Sequence, residues 1–203
     1  MAHLPDSELV KLQLHKNDWH VRHARRLLQE RHAAGKLDNN TRVELQRIFD
    51  TNPDITRKLR ALWALHVTGG ISHDQLRRLL RHENEHVRWW AVKLIADESA
   101  EKFKPDLQRV AREEPTPFVR LAVASALQRL KHEDRFPIVE ALLQHAEDSA
   151  DRNIPLMIWY GLEPAIETHP RLGSGLLNKC RIPSVRQFIA RRLASAYQVS
   201  ANR

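Results

Sequence analysis

Histidine pairs are the feature of this sequence that could most directly hold a metal ion. The chain has twelve histidines among 203 residues; His20 with His23 and His82 with His86 have spacings that place two imidazoles on one helical face. No cysteine or carboxylate stands at a third position with the spacing of a zinc site, and the step from His82 to His86 crosses a predicted turn. The sequence therefore predicts no metal site and no bound cofactor.

Sequence patterns typical of enzymes are also missing. The single cysteine, Cys180, has neither a second cysteine nor a motif-defined base, so we interpret it as a small buried side chain or an idle surface thiol. There is no glycine-rich phosphate loop and no paired-carboxylate signature. We therefore predict that this chain has no catalytic residues and is not an enzyme by itself.

A polar turn ahead of an aromatic helix is the most unusual stretch of the chain. The sequence AEDSADRNIPLMIWYGLEP, residues 146–164, places Asp151, Arg152 and Asn153 before Trp159 and Tyr160. In one interpretation, Asp151 or Asn153 caps the helix and the aromatic side chains belong to the core. In the other, Arg152, Asn153, Trp159 and Tyr160 form a docking site for a partner.

Net charge permits several kinds of partner without selecting one. The formal charge is +8 and the pI is about 10.1, which suits nucleic acid, anionic lipid or an acidic protein. No apolar run approaches the roughly 20 residues of a membrane-spanning helix, so we predict no membrane insertion. Many of the basic residues fall at or near one recurring motif: Arg22, Arg25, Arg26, Arg57, Lys58, Arg60, Arg88, Lys93, Arg186, Arg191 and Arg192.

That motif is an aliphatic-arginine step at the head of a predicted helix. It occurs in DWHVRHARRLLQ, ITRKLRALWALH, NEHVRWWAVKLI, PTPFVRLAVASALQRL and IPSVRQFIARRLA, with arginines at positions 22, 60, 88, 120 and 186. The intervals are 38, 28, 32 and 66 residues, and the last is twice 33. A degenerate copy, NIPLMIWYGLEPAI, fills the gap with Pro155 in place of the arginine. Six copies with a period near 33 residues are typical of a helical repeat.

Shorter amphipathic segments between the copies complete the unit as helix, turn, helix. Thr41 with Glu44 and Ser72 with Gln75 are predicted capping boxes, and Asp18 and Asp54 are predicted N-caps. We predict an all-α fold, a right-handed α-solenoid of about six helical hairpins, in a single domain over residues 1–203. The predicted units are approximately 5–34, 38–69, 71–97, 99–130, 132–168 and 169–203.

These copies resemble HEAT repeats, in which a turn aspartate and a Val-Arg pair recur at the head of the second helix. The resemblance implies an internal polar ladder, in which each arginine pairs with an acidic turn residue of a neighbouring unit. Asp18, Glu85 and Glu114 are placed to supply the acids. It also implies that the second helices line the concave surface. The predicted ladder residues are Asp18, Arg22, Arg60, Arg88, Arg120 and Arg186.

The third copy adds two adjacent tryptophans, Trp89 and Trp90, after Arg88. Consecutive residues differ by about 100° around a helix and cannot share one face. If Trp90 and Ala91 pack between the helical layers, Trp89 lies exposed or at a partner surface. Arg88 and Trp89 are therefore added to the candidate binding residues.

Longer phrases resemble one particular family. HKNDWHVRHARRLLQERHAAGKL, LRALWALHVTGGI, DRNIPLMIWYGLEPAI and RIPSVRQFIARRL are similar to the HEAT-repeat region of PVC-type membrane-bound dehydrogenases of planctomycetes and verrucomicrobia. The resemblance implies an exported parent polypeptide with a β-propeller before this region and a c-type cytochrome domain after it. The chain has no Cys-x-x-Cys-His haem motif, no propeller repeat and no signal peptide in its first residues.

The sequence thus favours a non-catalytic scaffold or protein-interaction module, whose partners are neighbouring domains of a larger redox polypeptide or an acidic protein. The alternative is a nucleic-acid-binding protein with a basic groove, similar in architecture to the HEAT-like alkylpurine DNA glycosylases. No phrase of the chain matches that family. The residues themselves predict no cellular location. The resemblance to the exported parent polypeptide implies an extracytoplasmic one.

Overall fold

The structure, a computed structural model, describes residues 1–201, with side chains through Ser195. This part of the chain contains no strand, which confirms the predicted all-α fold of helical hairpins. The helices, numbered in chain order, are α1 Asp6–Lys11, α2 Asp18–Ala33, α3 Thr41–Thr51, α4 Ile55–Val67, α5 His73–Leu79, α6 Glu85–Glu98, α7 Lys104–Glu113, α8 Pro117–Ala126, α9 His132–Leu142, α10 Ile154–Thr168, α11 Pro170–Leu176 and α12 Pro183–Ala201. No described helix is long and apolar enough to cross a bilayer.

The chain divides into two compact units, Met1–Gln75 and Leu76–Arg203, with the boundary inside α5. In the first unit α1 packs on α3 and α2 on α4, so the first and second helices of the hairpins form two layers. In the second unit α7, α9 and α11 form one layer, and α6, α8, α10 and α12 form the other. The assignment of all 203 residues to a single domain of six units remains a prediction.

Apolar residues at helical spacing form the core between the layers of each unit. In α7, Leu107, Val110 and Ala111 lie at positions i, i+3 and i+4, and all three are buried. The corresponding buried stripe of α10 includes Ile158 and Leu162. Because each helix buries one stripe, neighbouring hairpins must cover one another, as the sequence period requires.

The helix caps agree with the sequence at two places. The Asp54 carboxylate accepts hydrogen bonds from the amides of Thr56 and Arg57 at the start of α4. Ser72 and Gln75 form the reciprocal pair of a capping box, in which each backbone nitrogen donates to the side-chain oxygen of the other residue, with N···O distances of 2.7 and 3.2 Å. Both predictions are therefore confirmed.

Two other predicted caps are wrong. Asn17, rather than Asp18, accepts the amide hydrogen bond that caps α2, because the Asp18 carboxylate binds arginines instead. Thr41 is already the first residue of α3, and its hydroxyl donates to the Asp6 carboxylate rather than capping the helix. In both cases, a side chain that the local sequence predicted as a helix cap instead binds a residue that is distant in the sequence.

Candidate functional site

Arg88 fastens the start of α6 to the loop before α8. Its guanidinium binds Glu114 in a bidentate manner, with distances of 2.9 Å from Nε and 2.7 Å from Nη2. Its Nη1 donates to the carbonyl oxygens of His82 and Glu83. The Glu114 carboxylate also accepts from the amide and hydroxyl of Thr116. Burial of Glu114 opposes ionisation, but the hydrogen bonds from Arg88 and Thr116 outweigh it and lower the pKa of Glu114.

Arg120 repeats this arrangement one hairpin later and is more completely enclosed. Its Nε donates to Asp148 at 2.7 Å, Nη2 binds the other carboxylate oxygen, and Nη1 donates to the carbonyl oxygen of Glu114. The loop residue Glu114 thus accepts from Arg88 through its side chain and from Arg120 through its backbone. Arg88, Glu114, Arg120 and Asp148 form one continuous chain of charged hydrogen bonds through the second unit, which fixes the heads of α6 and α8.

Pairing runs in the opposite direction in the first unit. Arg60 of α4 binds Asp18, which belongs to the preceding hairpin, at 3.1 Å, and also donates to the carbonyl oxygen of His15. Arg22 binds the other oxygen of Asp18 from within α2 and is largely exposed. The hydrogen bond from Arg22 is the main reason why the pKa of Asp18 is lowered.

The last predicted ladder residue, Arg186, lies outside the carboxylate pairing. Its guanidinium donates to the carbonyl oxygen of Cys180, and it forms no ion pair within residues 1–195. Cys180 itself is buried, and its thiol donates to the carbonyl oxygen of Ile182 at 3.2 Å. Burial raises the pKa of this thiol, so the group is a protonated core side chain rather than a nucleophile.

An aromatic cluster lies on α6 and α8 beside these ion pairs. The Trp89 ring stacks on Phe118, with centroids 5.6 Å apart and an interplanar angle of 14°. Trp90 meets Trp89 edge-on at 5.1 Å, and His86 meets Phe118 edge-on at 5.3 Å. Phe118 is 39% exposed, and both tryptophans are half-buried. Trp90 is therefore less enclosed than the sequence suggested, whereas Ala91 is fully buried.

A groove of about 230 Å³ opens between α6 and α8 next to this cluster. Small residues are prominent in its lining, and Trp89 and Leu121 add larger apolar surfaces. Lys93 and Arg129 supply positive charge, which Asp97 balances in part at 3.2 and 3.9 Å. The lining residues are Trp89, Lys93, Ala96, Leu121, Ala122, Ser125, Ala126 and Arg129. We call these residues, together with Phe118, the α6–α8 face.

The predicted site residues in the polar turn before α10 and in α10 itself differ in their exposure to solvent. Asp151 accepts hydrogen bonds from the amides of Asn153 and Ile154, both at 2.8 Å, while Arg152 and Asn153 are exposed. Trp159 is half-buried, 5.4 Å from the Phe188 ring, but Tyr160 is 54% exposed. The interpretation that both aromatic rings belong to the core is wrong for Tyr160, because its side chain extends into solvent.

Two overlapping matches to a family described as HEAT repeats cover residues 41–128 and 73–154. Together they span more than half of the 203 residues. The chain belongs to the HEAT-repeat family. HEAT repeats commonly mediate protein interaction and are typically non-catalytic. Neither curated proteins nor solved structures gave a significant match. No group of three or more metal-binding side chains lies within the described residues.

Two participants in the polar network of these HEAT repeats were not assigned to it from sequence. Asp148 serves as the acid for Arg120, whereas Glu85, which was predicted as an acid, forms no hydrogen bond to a ladder arginine in the described residues. Arg135 of α9 is buried and donates to the carbonyl oxygens of Leu130 and Gly161. It ties α9 to α10 in the hairpin where Pro155 replaces the ladder arginine. In HEDRFPIV, Arg135 directly follows two acidic residues, as a solvated arginine would, so the sequence held no signal for its buried role.

Proposed function

We propose that this chain is a non-catalytic HEAT-repeat module that binds a protein partner through the α6–α8 face. The observation that supports this proposal is the stacked, partly exposed pair Trp89 and Phe118 at the side of a groove with small residues in its lining. Tryptophan is enriched among residues that dominate binding energy, and a groove beside it can accept a side chain from the partner. The stacked aromatic pair and the groove beside it are features typical of a surface that binds another protein.

The polar network gives the face the rigidity that binding requires. Arg88 and Arg120 hold the heads of α6 and α8, the two helices that carry Trp89 and Phe118. A preorganised surface loses little conformational entropy on association, so more of the contact energy appears as affinity. We therefore assign Arg88 to positioning the face, and Trp89 to contacting the partner.

The exposed residues before and within α10 extend the proposal. α10 follows α8 in the same layer of helices, and it carries Tyr160 and the half-buried Trp159. Arg152 and Asn153 are exposed at its start and can donate hydrogen bonds to an acidic partner. We propose that these four residues form a second contact region for the same class of partner.

Ion pairing supports a protein partner over a nucleic acid. Of the eleven cations that cluster near the repeat motif, seven form ion pairs with carboxylates of this chain, which reduces the field available to a phosphate backbone. The paired cations are Arg22, Arg26, Arg57, Arg60, Arg88, Lys93 and Arg192. Duplex DNA at physiological salt and micromolar protein should give no electrophoretic shift; a salt-dependent shift would favour the DNA-binding alternative.

Replacing Trp89 tests the proposed face directly. Trp89→Ala should abolish recovery of the partner that the unmodified chain retains from a lysate of its natural host. Trp19→Ala is a matched control, because Trp19 is 56% exposed on α2 in the other unit. Partner recovery that is unaffected by Trp89→Ala, or lost equally with Trp19→Ala, would contradict the proposal.

We also propose that this module serves within a larger redox polypeptide, as the resemblance to PVC-type membrane-bound dehydrogenases implies. The support is the phrase similarity alone, and its partners would then be the neighbouring domains. The complete open reading frame tests this point. It should encode a β-propeller before this region and a Cys-x-x-Cys-His motif after it, whereas a reading frame without either would overturn the assignment.

A further inference from the structure

A second and larger groove lies in the other helical layer of the second unit, away from the α6–α8 face. It has a volume of about 420 Å³ and runs along α7, α9 and α11. Phe136 and Leu176 are almost fully buried within its lining, while Leu172 is 48% exposed. A single large apolar side chain in this layer is therefore left beside an unfilled space.

Two glycines of α11 explain how the groove arises. A Cβ atom added at Gly173 would lie 2.9 Å from Ile166 Cγ1, so this glycine permits α11 to pack closely against α10. A Cβ atom added at Gly175 would meet nothing within 4 Å. Gly175 is a lining residue of the groove, so its missing side chain leaves part of the groove open.

The polar part of the lining is predominantly cationic. Arg112 of α7 and Arg171 of α11 are exposed and form no ion pair within residues 1–195. Lys179 binds Glu140 at 2.8 Å, so the only carboxylate in the lining is already matched by a cation. The groove thus combines an apolar floor with two uncompensated guanidinium groups, one contributed from each of its outer helices.

We infer that this groove binds an acidic peptide segment that carries one bulky apolar side chain. The apolar side chain would fill the space beside Gly175, and flanking carboxylates would pair with Arg112 and Arg171, whose planar guanidinium groups suit bidentate recognition. A nucleic acid fits less well, because it has no aliphatic side chain to fill the space beside Gly175. This inference goes beyond the proposed function, which concerns the other layer.

The test uses the full chain and a synthetic peptide of about twelve residues, mostly Asp and Glu with one central leucine as the apolar anchor for the groove. Fluorescence anisotropy of the labelled peptide should show saturable binding. Gly175→Leu adds a side chain at a lining position where a Cβ atom would meet nothing within 4 Å, and it should weaken binding by about tenfold or more, because it displaces the apolar anchor. Arg112→Glu should weaken binding to a similar extent.

Arg47→Glu is the matched control, because it changes the net charge equally at an exposed position of α3 in the first unit. It should leave the affinity close to that of the unmodified chain. Circular dichroism of Gly175→Leu, which should match that of the unmodified chain, controls for loss of the helical fold. The inference is overturned by an absence of peptide binding, by equal binding of a peptide with serine at the central position, by unchanged affinity in Gly175→Leu, or by full competition from a single-stranded oligonucleotide.

Discussion

Arg120 and Asp148 form a bidentate ion pair in which only 2% of either side chain is exposed to solvent. Each group is taken out of water at a considerable cost, which the partner and the additional bond from Arg120 to the Glu114 carbonyl offset. The pair joins α8 to the segment that precedes α10. It therefore links the fourth hairpin to the fifth, where the repeat motif itself has lost its arginine.

Removing one member of this pair should be far more damaging than removing both. We expect Arg120→Met to lower the free energy of unfolding by about 3–5 kcal/mol, because Asp148 is left buried without a counter-ion. The double variant Arg120→Met with Asp148→Leu should recover most of this loss. Urea denaturation followed by tryptophan fluorescence measures both effects. A single variant as stable as the unmodified chain would show that the carboxylate is not confined as the structure has it.

Acidification should destabilise the fold through Glu114. Its pKa is lowered in the folded chain, so between the folded value and the unfolded value of about 4.3 the unfolded chain binds more protons. The stabilisation is therefore present above about pH 4.3 and is lost as the pH falls through the folded pKa. Denaturation midpoints should fall less steeply with acid in Glu114→Gln, whereas Glu113→Gln, at an exposed neighbour, should follow the unmodified chain.

The buried thiol of Cys180 should react slowly in the folded protein. Burial raises its pKa and shields the sulfur atom, so the thiolate required for alkylation is scarce. We expect iodoacetamide to modify the folded chain at least about tenfold more slowly than the urea-unfolded chain, because modification requires local opening. Equal rates would contradict the packing around Cys180.

Two glycine-to-alanine substitutions should change the free energy of unfolding in opposite directions. At Gly161 a Cβ atom would lie 2.7 Å from the Cβ of Leu127, so Gly161→Ala should cost about 1–3 kcal/mol through overpacking. At Gly175 nothing lies within 4 Å, so Gly175→Ala should gain up to about 1 kcal/mol from the better helix propensity of alanine. Thermal unfolding of the two variants under one condition compares them directly. A shift of the same sign in both would contradict the contrast.

Local sequence patterns predicted the helices but not the residues with which their arginine side chains pair. The Val-Arg steps and the amphipathic segments predicted hairpins, because helical period and end signals are properties of neighbouring residues. The partner of each arginine depends on how hairpins stack. The sequence therefore did not show that Arg60 pairs with the preceding hairpin while Arg120 pairs with the following one, nor did it assign Asp148 to Arg120.

The aromatic residues show the same limit at the candidate site. The angular argument predicted that Trp90 packs between the layers while Trp89 lies exposed or at a partner surface, whereas both rings are half-buried and meet edge-on with centroids 5.1 Å apart. It did not predict that Phe118, from the next second helix, covers one face of Trp89. Arg135 was missed because a single arginine near the start of a helix carries no sign that its partners are carbonyl oxygens of Leu130 and Gly161.

Because the ion pairs run in opposite directions, the ladder arginines of the two units meet their carboxylates at different stages of protein synthesis. Because Asp18 is translated before Arg60, the carboxylate that binds Arg60 is already present when Arg60 leaves the ribosome. Arg88 and Arg120 emerge 26 and 28 residues ahead of the carboxylates that neutralise them. The third and fourth hairpins therefore each lack the carboxylate that binds their arginine in the folded chain until the next hairpin has been translated.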